Sequence, residues 1–171
     1  MPAIYVCPKS QVPDVAERLR PSHLITLLDP ADHMPTPDGI AADRHLRLGM
    51  NDIVQVLPDH TPPDEQHVRE IIAFAQSWDR TRPMLIHCWA GISRSTATAF
   101  TVACMLSPRG REGRIALALR SASAFAYPNL RIVALADNLL ARDGRMVEAL
   151  DGMGPARQTY ESELFSLGLD P

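Results

Sequence analysis

Met84-Leu85-Ile86-His87-Cys88-Trp89-Ala90-Gly91-Ile92-Ser93-Arg94-Ser95 is the stretch on which the reading of this chain turns. Met84 to His87, entered from Pro83, is a short apolar run of the kind that forms a buried strand. A helix is expected from about Ser95 through Ala97, Phe100, Val102 and Leu106, with Pro108 and Gly110 ending it. Between strand and helix lies a tight loop with five residues separating Cys88 from Arg94. A loop so placed turns backbone N–H groups inward over the positive end of the helix, which makes a seat for a tetrahedral anion. Gly91 allows the close backbone approach this needs. The same field favours a thiolate, and cysteines at helix N-termini can have a pKa lowered to about 3.5–7.5 from about 8.5. Arg94 adds a planar, permanently charged fork that matches two oxygens of a phosphate, which a lysine cannot do. Ser95 can donate to the Cys88 sulfur.

Outward from that segment the chain alternates strands and helices. Ala3 to Cys7 and His23 to Leu28 read as strands flanking a helix over Val12 to Arg20, and His45 to Met50 reads as another strand after a Pro-, Asp- and Gly-rich loop, Asp29 to Gly39. From Asp64 to Trp78 the residues Val68, Ile71, Ile72 and Ala75 mark one helical face. Thr61 is the expected N-cap there, with Pro62 at the first helical position and Asp64 standing in a capping box. The rest reads as helix: Gly113 to Phe125, Asn129 to Ala141, and a short piece around Met146 to Leu150, broken by Asp151 to Pro155. The expectation is one α/β domain over residues 1–171, with a central, mostly parallel sheet flanked by helices, a helical C-terminal half and a weakly patterned tail from 151 to 171.

Composition narrows the function classes. Seventeen basic and 20 acidic residues give a formal charge of −3 with no basic run, and aromatics make up only 5%. A nucleic-acid partner is not expected. No apolar stretch approaches the roughly 20 residues that span a bilayer, and the start reads as a strand rather than a leader, so a soluble, cytoplasmic protein without a membrane partner is expected. Three scattered cysteines, Cys7, Cys88 and Cys104, suggest free thiols, with Cys7 and Cys104 buried and slow to react. The six histidines lack metal-ligand spacing, and no metal or cofactor is expected.

His87-Cys88-x-x-Gly91-x-x-Arg94-Ser95 resembles the signature of the cysteine-based protein tyrosine and dual-specificity phosphatases. Asn51-Asp52, after a strand and before a helix, resembles the position of that family's general acid, and Arg120 and Pro128-Asn129 also resemble the dual-specificity pattern. The resemblance covers about residues 45 to 140. It implies a phosphoric monoester hydrolase working through a phosphocysteine, with Cys88 as nucleophile, Arg94 and the loop residues Trp89, Ala90, Gly91, Ile92 and Ser93 around the phosphate, and Ser95 assisting the departing thiolate. His87 would orient the loop. The substrate would be a phosphorylated protein or a small phosphate monoester. The phosphoinositide-directed branch tends to carry extra basic residues where this loop has Trp89, Ala90 and Ile92. Asp59 is the alternative acid: both Asp52 and Asp59 could be plain solvated carboxylates, but Asp52 follows a strand whose end should open on the same sheet edge as Cys88. Two other functions fit the same loop, a phosphate-binding module without turnover and a sulfur carrier using Cys88 as a persulfide.

Overall fold

A computed structural model describes residues 3–169 of the chain. Five strands form a sheet in the order β3-β2-β4-β1-β5: β1 (Ala3–Pro8), β2 (His23–Leu28), β3 (His45–Gly49), β4 (Met84–Cys88) and β5 (Phe165–Gly168). The first four run parallel, in registers that include Val6 opposite Ile86, Ile25 opposite Ile86 and Leu27 opposite Leu48. Every residue of β2 and β4 is buried, as expected of inner strands covered on both faces.

Alternation along the strands separates two cores. Ile4, Val6, Ile25, Leu27, Met84 and Ile86 pack with the helices α2 (Glu65–Gln76), α3 (Arg94–Leu106), α4 (Glu112–Ala122), α5 (Leu130–Leu139) and α6 (Arg145–Asp151). Cys7, Leu24, Leu28 and Leu85 on the opposite face pack with α1 (Val12–Leu19) and with Met34 and Ile40 of the loop after β2. α3 lies at the centre of the larger layer. All its residues from Arg94 to Cys104 are buried, and its polar Thr98 and Thr101 satisfy themselves on the carbonyls of Arg94 and Ala97.

The tail differs from its reading as weakly patterned. Residues 165–168 add β5 antiparallel to β1, pairing Ile4 with Leu167 and Val6 with Phe165, which closes one edge of the sheet. Phe165 and Leu167 enter the core while Ser166 and Gly168 face water, a two-residue alternation too short to stand out in sequence.

The cap of α2 is also shifted. Asp64, in extended conformation, is the N-cap: its Oδ1 accepts from His67 N–H at 2.9 Å, and its own N–H donates to His67 Nδ1 at 3.2 Å. Histidine takes the place a glutamate holds in the usual capping box. Thr61 is instead paired with Asn51: Asn51 N–H donates to Thr61 O at 2.7 Å, and Thr61 N–H donates to Asn51 Oδ1 at 2.8 Å. These two bonds close the base of the loop that carries Asp52 and Asp59. Asp64→Ala is therefore expected to cost about 0.5–2 kcal/mol of stability in urea unfolding, and Thr61→Ala, whose bonds are made by its backbone, within about 0.5 kcal/mol; equal losses would restore Thr61 as the cap.

Candidate active site

Parallel strands deliver their C-terminal ends to one edge, the edge where α/β sheets place ligands. Here β4 ends at Cys88, β2 runs into Asp29, and β3 runs through Gly49 and Met50 into Asp52. The loop from Trp89 to Ser93 then turns into α3, whose first residue is Arg94.

Its backbone is turned outside in. The carbonyl of Trp89 accepts from Lys9 N–H at 3.0 Å, that of Ala90 from Ser162 N–H at 2.9 Å, and that of Gly91 from the Ser162 hydroxyl at 3.0 Å. The Ile92 carbonyl accepts from Tyr127 N–H at 2.9 Å, and that of Ser93 from Ala97 N–H at 3.0 Å and Asn129 N–H at 3.2 Å. The amides of Ala90, Gly91, Ile92 and Ser93, by contrast, donate to nothing among the described residues. Five carbonyls drawn outward and four amides left free make a concave nest of donors at a helix N-terminus, suited to a tetrahedral oxyanion.

Gly91 is fixed twice over. Its φ of +71° is a left-handed conformation, and a Cβ there would lie 2.4 Å from Ser162 Oγ, 2.8 Å from Pro8 N and 2.9 Å from the Cys7 carbonyl carbon.

Within this frame Cys88 is 2% exposed, and its Sγ lies 3.1 Å from Ser95 Oγ. Arg94 is held by one nitrogen: Nη1 donates to Asp29 Oδ1 at 2.7 Å and to the Met50 carbonyl at 2.6 Å. Nε is buried and has no partner among the described residues. The edge formed by Nε and Nη2 is thus left to a bidentate acceptor. Asp52 Oδ1 accepts from Ser93 Oγ and from Asn129 Nδ2, each at 2.8 Å, so this carboxylate is bonded directly to the loop. Asp59 is exposed, at φ +59°, and makes no hydrogen bond among the described residues. Trp89 is 47% exposed, with Lys9 Nζ 4.9 Å from its ring centroid.

His87 is fully buried and heads a polar chain. Its Nδ1 donates to the Cys88 carbonyl at 3.2 Å, so Nε2 accepts from Thr26 Oγ1 at 2.7 Å; Thr26 in turn accepts from His45 Nε2 at 2.8 Å, and His45 Nδ1 accepts from Thr36 Oγ1 at 3.0 Å. Run one way, these bonds are satisfied with both rings neutral. Burial above all pushes each below the ordinary histidine value. His87 falls to about 4, with Lys9 and Arg94 adding to the fall against the opposing Cys88 carbonyl bond; His45 falls to about 4, helped by Arg47.

Several of these groups were not singled out in the sequence. In sequence Asp29 is only the first residue of a loop and Ser162 a residue of the tail; nothing local marks either. Thr26 had a signal, a polar residue in an otherwise apolar strand. Cys7 and Cys104 are both buried, as expected; burial, with Cys88 nearby, raises Cys7 to about 12, and burial also raises Cys104.

A family model for protein-tyrosine phosphatase matches residues 57–119, from the Asp59 loop through β4 and α3 into α4. Asp52 precedes that stretch. Among solved structures, DUSP15 superposes with a TM-score of 0.62 at 20% identity, over 90% of this chain and 89% of its own. Human DUSP28 gives 0.56 at 20% identity over 81% and 88%, and a mouse putative dual-specificity phosphatase complexed with zinc tungstate gives 0.54 at 21% over 81% and 80%. The chain has the protein-tyrosine phosphatase fold. The superfamily resemblance carried by residues 87–95 thus agrees with both the family model and the fold. Comparison with curated protein sequences finds no match.

The two neutral rings set a pH dependence. Both are lowered from 6.5 to about 4, so between these values the unfolded chain binds protons that the folded chain refuses. Stability is full above about pH 6.5 and falls on acidification toward pH 4, by up to about 1.4 kcal/mol per pH unit for each ring. Urea midpoints between pH 5 and 6.5, above the range where most carboxylates titrate, should drop accordingly; a flat profile would mean that the rings accept protons in the fold.

Proposed function

We propose that the chain is a cysteine-dependent phosphoric monoester hydrolase that dephosphorylates phosphotyrosine, or both phosphotyrosine and phosphoserine or phosphothreonine, through a phosphocysteine. The observation that carries this reading is the set of free amides from Ala90 to Ser93 in the loop that runs from Cys88 to Arg94, together with the open guanidinium edge of Arg94.

The chemistry follows from that placement. The Cys88 thiolate attacks phosphorus in line, and the bond from phosphorus to the leaving oxygen breaks as the sulfur–phosphorus bond forms. The free amides and the Nε/Nη2 edge of Arg94 hold the three non-bridging oxygens, whose charge moves into the donor nest in the transition state. Asp52 gives its proton to the leaving oxygen; Oδ1 is occupied by Ser93 and Asn129, so the proton sits on Oδ2. In the second step Asp52 takes a proton from water, whose oxygen displaces sulfur from phosphorus and releases inorganic phosphate. The Ser95 hydroxyl donates to the departing thiolate across the 3.1 Å contact. Asp29 and the Met50 carbonyl keep Arg94 from swinging away when the site is empty.

Cys88→Ser should abolish turnover of an aryl phosphate while phosphate or tungstate binding persists, because the amides remain and a hydroxyl is a far poorer nucleophile at neutral pH. Arg94→Lys should lose most activity despite keeping its charge, since one ammonium cannot hold two oxygens and the Asp29 contact together. A Cys88→Ser enzyme of near wild-type rate would sink the covalent route.

Asp52→Asn should lower turnover of phenyl or alkyl phosphates by about 10²–10⁴-fold, and Asp59→Asn much less. The Asp52 loss should shrink with an acidic leaving group, which departs without a proton, and the basic limb of the pH–rate profile should vanish. If the leaving-group dependence follows Asp59→Asn instead, the acid is Asp59.

A further inference from the structure

Large apolar side chains left in water are not spread evenly over this molecule. Among the described residues eight are exposed, and five of them, Val54, Val56, Leu57, Tyr127 and Leu130, belong to two segments that flank the Cys88 loop. Val56 is 71% exposed and Tyr127 69%. Single exposed hydrophobics are ordinary, but a cluster of them is a mark of an interaction site.

The two segments form one surface because they are fastened to each other and to the loop. Arg131 donates from Nε to the Pro63 carbonyl at 2.5 Å and from Nη1 to the Val54 carbonyl at 3.4 Å. Asn129 Nδ2 donates to the Ile53 carbonyl at 3.3 Å as well as to Asp52, and Tyr127 N–H donates to Ile92 O. Residues 53–58 and 125–130 contain no charged side chain. Arg131, the nearest cation in sequence, has its guanidinium turned onto backbone carbonyls.

We propose that this surface docks the residues flanking the phosphorylated side chain of a protein substrate, and that those flanks are aliphatic or aromatic rather than charged. The inference rests on the phosphatase reading and names its substrate class. A hydrophilic phosphate metabolite gives an apolar rim nothing to bury. A polyphosphorylated inositol headgroup or an anionic bilayer requires a cluster of free lysines and arginines beside the pocket; the two segments carry none of their own, and the cations nearby, Lys9 and Arg157, lie singly over the rings of Trp89 and Phe125 at 4.9 and 5.8 Å. A phosphopeptide with apolar flanks supplies the phosphate for the loop and neutral surface for the rim.

The test is a panel of phosphotyrosine peptides identical except at the two positions on each side of the phosphotyrosine, which carry Leu and Val, Gly and Ser, or Asp and Glu. Each kcat/KM is divided by that for a small aryl phosphate on the same enzyme, so that changes common to both substrates cancel. The Leu/Val peptide should exceed the Gly/Ser peptide by about tenfold, the order expected for removing one aliphatic side chain from water. Val56→Asp, and separately Leu130→Asp, should erase most of that preference; either substitution is on an exposed position, and both together guard against a local misfolding of one segment. Peptides turned over within twofold of one another, a preference that survives both substitutions, or activation by vesicles of phosphatidylserine and phosphatidylcholine in place of peptide selectivity would each overturn the proposal. Absence of aryl phosphate turnover under all conditions would overturn the phosphatase reading instead, and fluorescence anisotropy of the same labelled peptides would still decide the flank preference.

Discussion

A guanidinium keeps its charge in any pocket, so burying one obliges the fold to answer it. Arg94 is 5% exposed on the first turn of α3, at the helix end where the backbone dipole is already positive. Its answer is Asp29, 65 positions away along the chain, together with the Met50 carbonyl. The strand order supplies both. With β2 beside β4 and β3 beside β2, the ends of three parallel strands lie side by side, and the residue following each projects over the same edge. An antiparallel neighbour in either place would have presented its opposite end.

Orienting the loop requires a second set of constraints, and these come from everywhere except the loop. To leave amides free, the carbonyls on the same peptide planes must be taken from outside. Lys9 after β1, Tyr127 and Asn129 before α5, and Ser162 before β5 provide the donors. The C-terminal strand therefore does more than close an edge: by pairing with β1 it carries Ser162 to the Gly91 carbonyl, at a spot so close that only glycine fits opposite. Asn129 joins the same scheme to the loop that carries Asp52. One side chain caps α5 through Oδ1 at 3.2 Å from Ile132 N and grips Asp52 through Nδ2.

How much of this could be read from sequence divides along chain distance. The strand, loop and helix around Cys88 were legible because glycine, cysteine and arginine sit within a few residues, where local geometry leaves few choices. The mostly parallel sheet and the helices of the second half followed from apolar spacing. Asp29 and Ser162 were not legible, since each acts on a partner more than sixty residues away and looks locally like any loop carboxylate or hydroxyl. Thr61 misled for a related reason. Thr and Asp are both good N-caps, and the choice fell to Asp64 because Thr61 is already occupied by Asn51 across the base of the Asp52 loop.

The same separation between residue type and surroundings distinguishes the three cysteines. Cys7 lies next to the site, opposite His87 in the β1–β4 register, yet it belongs to the core on the α1 face, where burial and the neighbouring thiol raise it to about 12. Cys104 sits at the far end of α3 among apolar side chains, toward the negative end of the helix, and burial is again the leading cause of its raised value. Cys88 is also nearly buried, but it is the last residue of its strand, and the chain leaves the sheet immediately after it. Its sulfur lies 3.1 Å from the Ser95 hydroxyl, and the loop whose amides are unengaged begins at the next residue. Position at a strand end, at the head of α3 and beside the Ser95 hydroxyl, thus sets Cys88 apart from Cys7 and Cys104 more than exposure does.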